Sequence, residues 1–371
     1  MTSYQIIGLV FAISGVLAGL SLLWESQKVK SLDLDYLPKT NMLVWVVRIF
    51  VGLLFLYSGY VKANDYIGFA YKLEEYFGVF ASDFSFFKGF FEFMTPLSKP
   101  LAWFISVFEM ALGVAVIVGW RMNLTMWLSM LMMIFFTILT GYSHYTGAVA
   151  DCGCFGDALK IEPWESFVKD IILTGMLIPV FIVRNSIHPI FGKSGTWKVV
   201  LASFILAGAY SYYCHEHLPV VDYRAYKVGV DLEHCKEYIA PGDDFPKCSD
   251  FDQFYSDREL PIFEGNNLMV VIYTGYKADM DDMKASEALY QSLKGSGVNV
   301  YGANGDSKKT FEEKIKAEAG MTYPFTYFDP KTLKTIVRSN PGYVLLKEGV
   351  VVEKWHHNDI PSADEIKALL Q

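Results

Sequence analysis

The chain has 371 residues, of which 52% are hydrophobic, and its formal net charge at pH 7 is −8. This length favours two or more folding units. Long apolar runs fill the first 213 residues, and the negative charge arises in the remainder. Because no basic surface of the kind that binds nucleic acid is present, no nucleic-acid partner is expected.

Six apolar stretches are long enough to cross a bilayer as helices. They lie near residues 4–24, 41–61, 100–120, 122–142, 166–184 and 197–213. We interpret the first stretch as a retained helix, because it lacks a basic leading region and a small-residue cleavage site. The sequence therefore predicts a polytopic α-helical membrane bundle of about six helices.

Basic residues in the short loops predict the orientation of these helices, since such loops stay in the cytoplasm. Lysine and arginine follow the first, third and fifth predicted helices. These residues are Lys28, Lys30, Lys39, Arg121, Arg184, Lys193 and Lys198. We therefore expect a multi-pass protein of the plasma (inner) membrane with both termini outside the cytoplasm.

After about residue 260, short apolar strands alternate with helical segments. Strands are predicted at 267–273, 298–303, 325–328, 343–346 and 350–355, and helices at 279–293, 308–319 and 362–370. This arrangement resembles the α/β thioredoxin fold. Ser339 to Gly342 resembles the loop that holds a cis-proline in that family, so Pro341 is predicted to follow a cis peptide bond.

The thioredoxin-like segment differs from the family at its redox motif. Residues 274–278 stand where thioredoxins carry two cysteines, and no cysteine lies nearby. Without a thiol, this site cannot exchange disulfides. The segment is therefore predicted to be a binding or docking module and not a reductase.

These features divide the chain into four regions. They are a leading helix and cytoplasmic loop (1–40), a membrane bundle (41–213), an extracytoplasmic connector (214–259) and the thioredoxin-like domain (260–371). The connector holds Cys235 and Cys248. An oxidising compartment favours a structural disulfide between them, and a mobile redox pair is the alternative.

The sharpest motif is Cys152-Gly153-Cys154, in the outer loop between the fourth and fifth predicted helices. Two thiols separated by one residue close a small strained ring, and strained disulfides are the labile ones used in exchange. Three other readings stay open at this point. The pair forms an inert disulfide, one cysteine pairs with Cys214, or both bind a soft metal ion together with His144.

Ionisable residues inside the spans are the second clue, because charges in a bilayer are costly and mark functional sites. Arg48 lies within the second predicted helix, Lys62 at its outer end and Glu109 near the middle of the third. Arg48 and Glu109 are expected to pair across adjacent antiparallel helices. A purely structural ion pair is the alternative to a functional one.

The membrane half contains a recognisable pattern of residues. Arg48 precedes a glycine-containing stretch that ends in Ser58-Gly59-x-x-Lys62, Glu109 begins a Glu-x-x-x-Gly pattern, and a Cys-Gly-Cys-Phe-Gly run follows. Over residues 41–185 this pattern resembles the DoxX-like membrane family, and more closely its MauE branch. The leading helix and long extracytoplasmic tail are similar to DoxX-type proteins of Bacteroidota.

The resemblance implies a four-helix core and redox chemistry. The MauE likeness implies a role in forming disulfides in a periplasmic enzyme, and the DoxX likeness implies quinone-coupled sulfur chemistry. Cys152 and Cys154 are then the expected catalytic residues. Arg48, Lys62 and Glu109 are the candidates for contact with a quinone, with the structural ion pair as their other reading.

Taken together, the sequence predicts a membrane thiol–disulfide redox protein, linked to a quinone, that acts on thiols of an extracytoplasmic protein client. The alternative is a non-catalytic membrane anchor that presents the thioredoxin-like domain to an envelope complex. Membrane lipids are expected partners under either hypothesis.

Overall fold

The computed structural model describes residues 42–149, 153, 155–159, 161–232 and 263–371. The first predicted helix, Cys152, Cys154, Cys235 and Cys248 lie outside the described residues. The chain divides into two compact units, with the boundary between Tyr213 and Cys214. Each unit is described by itself.

The first unit is helical throughout its described part. Its helices are α1 (Met42–Asn64), α2 (Tyr66–Asp83), α3 (Lys88–Met94), α4 (Ser98–Val118), α5 (Met122–Thr146), α6 (Pro163–Ile182) and α7 (Gly192–Glu216). Short 3-10 turns occur at Ser85–Phe87, Thr95–Leu97, Gly156–Ala158 and Arg184–Ser186. Helix α7 continues three residues past the boundary between the units.

Three stretches of the described chain are long and apolar enough to cross a membrane. They are Val44–Asn64, Ser85–Val118 and Met122–Thr146. Helices α6 and α7 coincide with the fifth and sixth predicted spans but fall outside this group, and α6 carries Glu165, Lys169 and Asp170. The structure thus supports a helical membrane protein, and the number of six spans stays a prediction.

Helices α1 and α4 approach each other through glycine. A methyl group placed on Gly113 would lie 2.6 Å from the carbonyl oxygen of Gly52, and one on Gly59 would lie 2.9 Å from that of Ser106. Residues with higher numbers on α1 contact residues with lower numbers on α4, so the two helices run antiparallel. Small residues allow this close approach, which brings the polar side chains of the two helices within reach.

The second unit contains a five-stranded mixed sheet in the order β3-β2-β1-β4-β5. The strands are β1 (Asn266–Ile272), β2 (Val298–Asn304), β3 (Phe325–Tyr327), β4 (Gly342–Lys347) and β5 (Val350–His356). β1, β2 and β3 are parallel, and β4 is antiparallel to both β1 and β5. Every predicted strand is present, and the peptide bond between Asn340 and Pro341 is cis.

Helices flank this sheet. They are α8 (Met280–Leu293), α9 (Lys308–Thr310), α10 (Ala317–Ala319), α11 (Pro330–Ile336) and α12 (Ala363–Leu370), with a π-helical turn at Phe311–Lys316. The sequence analysis omits α11. Alternate residues of β1 enter separate hydrophobic clusters, Leu268 and Val270 on one face and Met269 and Val271 on the other. Burial on both faces explains why β1 is apolar throughout.

The first half of the connector pairs with the start of β5, on the side away from β4. The amide of Gly229 donates to the Val351 carbonyl at 2.8 Å, and the amide of Val351 donates to the Val230 carbonyl at 2.9 Å. Nearby, the buried Lys354 ammonium donates to Asp222 at 2.5 Å. Burial alone would raise the pKa of Asp222, but the charges of Arg224 and Lys354 hold it far below its usual range.

We expect Gly113→Ala to destabilise the helical unit by about 1–3 kcal/mol, because the added methyl group forces α1 and α4 apart. The unfolding temperature of the full chain in detergent measures this effect. Gly175→Ala in α6 is the matched control, since nothing lies within 4 Å of its added methyl group. Equal unfolding temperatures for the two variants would contradict the packing argument.

Candidate functional site

Residues beside the two loop cysteines are placed in the structure, although Cys152 and Cys154 lie outside the described residues. Gly153 is buried and has a φ of +66°, a left-handed conformation that favours glycine. A methyl group on Gly153 would approach the Lys72 side chain of α2 at 3.2 Å. The backbone between the cysteines therefore lies against α2.

Phe155, the residue after the second cysteine, is buried in the same unit. Its ring centroid lies 5.9 Å from that of Tyr57 on α1 and 4.7 Å from the Lys169 ammonium on α6. The next residue, Gly156, lies close to Val61. The described part of the loop thus contacts α1, α2 and α6.

Beneath this loop, α1 and α4 share a buried ion pair. The Lys62 ammonium donates to Glu109 Oε2 at 2.9 Å and to Ser58 Oγ at 2.6 Å. The two charged side chains are 1% and 3% exposed. The Cα–Cβ bonds of a helix tilt toward its N-terminus, so Lys62 reaches back one turn to Ser58. Lys62 therefore faces the protein interior, whereas the sequence analysis placed it only at the outer end of the helix.

A second ion pair comes from adjacent residues of α6. Lys169 Nζ lies 3.0 Å from Asp170 Oδ1, and Thr140 Oγ1 of α5 donates to Asp170 Oδ2 at 3.0 Å. Asp170 is buried, while the Lys169 side chain is 25% exposed. This pair is not among the sites predicted from the sequence. The two adjacent charged residues inside an apolar stretch are the sequence feature from which the pair could have been predicted.

Both ion pairs line one small cavity. Its lining residues are Leu54, Phe55, Ser58, Lys62, Glu109, Met133, Phe136, Phe155, Lys169, Asp170 and Leu173. The cavity volume is about 20 Å³, which is room for roughly one water. Pockets for small organic ligands are typically about 300 Å³ or more. A quinone therefore does not fit this cavity.

The expected pairing of Arg48 with Glu109 is wrong. Arg48 Nε and Nη2 instead donate to the carbonyl oxygens of Val116 and Ile117 at 3.1 and 2.8 Å, where they satisfy the C-terminal end of α4. With Gly52 opposite Gly113, Arg48 lies two helical turns from Glu109, about 12 Å along the axis. The separation expected from the sequence was one helical turn. An arginine side chain is too short to bridge two turns.

His144 lies among aromatic rings at the end of α5. Its ring centroid is 5.0 Å from that of Trp164 and 5.1 Å from that of Tyr145. Within the ranges that the structure describes, no three metal-ligating side chains come together. The metal reading of His144 with Cys152 and Cys154 is thus left without a test, because both cysteines lie outside those ranges.

In the sheet unit, the segment that lacks cysteine is fixed by polar contacts. The Gly275 amide donates to Asp306 Oδ2 at 2.6 Å, and Asn340 Nδ2 donates to the Thr274 carbonyl at 2.7 Å. Asn340 directly precedes the cis peptide bond of Pro341. The segment after β1 and the cis-proline loop are therefore adjacent, as the thioredoxin resemblance leads one to expect.

Ser339, His357 and Asp282 lie near this loop in an order that superficially suggests a hydrolase triad. Ser339 Oγ, however, donates to the Pro341 carbonyl and accepts from the His357 amide at 2.9 Å. Its proton is therefore not available to His357 Nδ1, which is 2.9 Å away. Burial raises the pKa of Asp282, although the adjacent His357 opposes that shift. The arrangement is structural and not nucleophilic.

Comparison with known proteins agrees with the membrane assignment. Residues 40–183 match the family model described as Methylamine utilisation protein MauE. Protein TlpB of Flavobacterium psychrophilum is 25% identical over 193 residues, which cover 49% of this chain and 46% of that protein. The chain thus aligns with less than half the length of this curated relative. No solved structure gives a significant match.

These matches support a MauE-type membrane protein. The matched region contains both ion pairs, Arg48 and the two cysteines of the loop. The resemblance to DoxX stays a prediction, as does the thioredoxin-like assignment of the sheet unit.

We expect Lys62→Met to destabilise the helical unit by roughly 3–5 kcal/mol, because Glu109 is left as an unpaired buried charge. Thermal unfolding of the full chain in detergent checks this, and adding Glu109→Gln to the same chain should recover part of the loss.

Lys72→Met is the control, since Lys72 and Glu75 form an ion pair whose side chains are 28% and 38% exposed. Exposed pairs contribute at most about 1 kcal/mol. If the two methionine variants unfold at the same temperature, the Lys62–Glu109 pair is not a structural constraint.

Proposed function

We propose that the protein is a membrane thiol–disulfide redox protein that acts on extracytoplasmic protein thiols through Cys152 and Cys154. The observation that carries this proposal is the burial of Gly153 and Phe155, which flank these cysteines, beside two membrane ion pairs. An inert surface disulfide does not need such surroundings. The match of residues 40–183 to the MauE family supports the same function.

The chemistry is an exchange that needs only the protein and its client. A client thiolate attacks one sulfur of the Cys152–Cys154 disulfide, which breaks that bond and forms a mixed disulfide. A second client thiolate then attacks the mixed disulfide. The client gains a disulfide and loses two electrons, and the two cysteines become thiols by taking up the two protons that the client thiols release. The same steps run in reverse when the client is the stronger oxidant.

Two lysine side chains, each also paired with a carboxylate, lie beside the described residues of the loop. The Lys169 ammonium contacts the ring of Phe155, and the Lys72 stem lies against Gly153. Nearby cations lower the pKa of a cysteine thiol and so raise its reactivity. Gly153 and Phe155, which adjoin the two cysteines in sequence, therefore lie beside lysine side chains of the kind that accompany reactive thiols.

The proposed setting is the inner membrane, with six spans and both termini outside the cytoplasm. Three helices of suitable length and the basic loops support this arrangement. Quinone linkage stays a prediction. Because the cavity at Lys62 and Glu109 is too small for a quinone, we assign no step of the exchange to one.

The decisive experiment is the double substitution Cys152→Ser and Cys154→Ser in cells. We expect envelope proteins to show a changed ratio of thiol to disulfide, since the exchanging pair is lost. Trapping with a membrane-impermeant maleimide, followed by mass spectrometry, measures this ratio and also tests which side the loop faces. Cys214→Ser, which changes a buried cysteine near the C-terminal end of α7, is the control and also tests the alternative pairing of that cysteine with the loop. An unchanged ratio in the double variant rules out the redox function.

The second candidate is a non-catalytic membrane anchor that presents a thioredoxin-like domain to an envelope complex. The absence of cysteine at residues 274–278 and the ordered contacts of Thr274 and Gly275 favour it. Under this hypothesis, a chain that ends before residue 260 loses function while the double cysteine variant keeps it. The reverse pattern in a complementation assay identifies the redox function instead.

A further inference from the structure

The two buried ion pairs of the helical unit meet at a single cavity that the exchange chemistry does not explain. Lys62 and Glu109 come from α1 and α4, and Lys169 and Asp170 from α6. Two pairs that served only to hold helices together would not need a shared space between them. Buried charges in a bilayer are costly, which points to a role beyond packing.

From this arrangement we propose that a water molecule in the cavity joins Asp170 and Glu109 into a proton relay for the thiol chemistry of the adjacent loop. This inference rests on the proposed function and assigns roles to residues that it does not use. The relay residues are positioning residues, because they act on the cysteines through transferred protons.

The cavity satisfies the requirements of a buried water. A water needs about 10–15 Å³ and two to four polar partners. The cavity offers about 20 Å³ and is lined by five polar side chains, those of Ser58, Lys62, Glu109, Lys169 and Asp170. The Lys62 ammonium uses two of its three N–H groups on Ser58 and Glu109, which leaves one donor for the water.

Among the described residues, the side chains of the relay reach solvent at Lys169. Lys169 is a quarter exposed, whereas the side chains of Asp170, Lys62 and Glu109 are at most 3% exposed. Toward Arg48, the interior of α1 and α4 is filled by buried apolar side chains. These are Val51, Phe55, Leu112 and Val116. Protons therefore enter and leave at the end of the bundle that carries Lys169.

That end also carries the cysteine loop. Phe155, which follows Cys154 in sequence, lines the cavity and contacts the Lys169 ammonium. When a thiol becomes a thiolate, its S–H bond breaks and the proton forms an O–H bond on Asp170, from which the water passes it to Glu109. In each of the two exchange steps one cysteine thiolate leaves, and the proton returns to its sulfur by the same route. No oxidant or reductant beyond the two exchanging partners is needed.

The charges at the cavity come from three helices of the bundle. α1 supplies Lys62, α4 supplies Glu109, and α6 supplies Lys169 and Asp170. From α5 the Thr140 hydroxyl donates to Asp170, and His144 of that helix lies outside the cavity lining. α2 and its N-cap carry Asp65, Lys72, Glu74, Glu75 and Asp83, none of which lines the cavity. The four lining side chains are two lysines and two carboxylates, whose formal charges sum to zero.

Glu109→Gln and Asp170→Asn in the full chain test the relay. The oxidised protein is mixed with dithiothreitol, and formation of the reduced Cys152–Cys154 pair is followed by maleimide labelling and mass spectrometry across the pH range. We expect each variant to react roughly 100-fold more slowly than the unchanged chain at neutral pH, the size of a lost acid–base group. In alkaline buffer the rates should converge, because thiols then lose protons to solvent directly.

Glu75→Gln removes an exposed carboxylate on the neighbouring helix and is the matched control, expected to follow the unchanged chain at every pH. A loss of rate that is equal at all pH values would show a structural role and overturn the relay. Unchanged rates in both relay variants would overturn it as well.

A second measurement, an infrared titration of the carboxyl groups, does not depend on the exchange reaction. In the unchanged chain, protonation of the buried carboxyl groups should give absorption bands that vanish in Glu109→Gln and Asp170→Asn. If the chain shows these bands but does not exchange with dithiothreitol, the proposed function fails and the proton site stands. If it exchanges without these bands, the relay fails and the function stands.

Discussion

The ion pair between Lys62 and Glu109 is the constraint on which the helical unit depends. A lone charge in an apolar interior costs several kcal/mol, so each partner fixes the position of the other. They meet only because Gly52 and Gly113 let α1 and α4 come close, and because the lysine bends back toward Ser58. The close contact of α1 and α4, the Lys62–Glu109 ion pair and the cavity that this pair lines therefore depend on one another.

The same constraint separates what the sequence predicts from what it does not. Apolar runs and basic loops indicate a membrane protein, and charges within those runs identify Arg48, Lys62 and Glu109 as unusual. The partner of each charge depends on helix register, however, and estimated helix ends are too uncertain to give it. Arg48 therefore received the wrong partner, although its presence in the bundle was predicted.

Short and atypical elements were missed for related reasons. Helix α11 spans seven residues and begins with Pro330, so it shows too little periodicity to be recognised. Lys169 and Asp170 lie within a predicted span, but their importance emerges only when Thr140 and Phe155 are seen beside them. In the sheet unit, by contrast, short apolar runs separated by helical segments and turns predicted all five strands.

Pairing of the connector with β5 has a consequence for how the sheet unit behaves in a crowded compartment. An open strand is a template on which another chain can add, and long exposed strands lead to aggregation. Here residues 229–232 already pair with the first two residues of β5, Val350 and Val351, and the opposite border is the three-residue β3. Extension of the sheet by another chain is therefore disfavoured along the short β3 and at the start of β5, which protects these parts of the unit from aggregation with neighbouring copies.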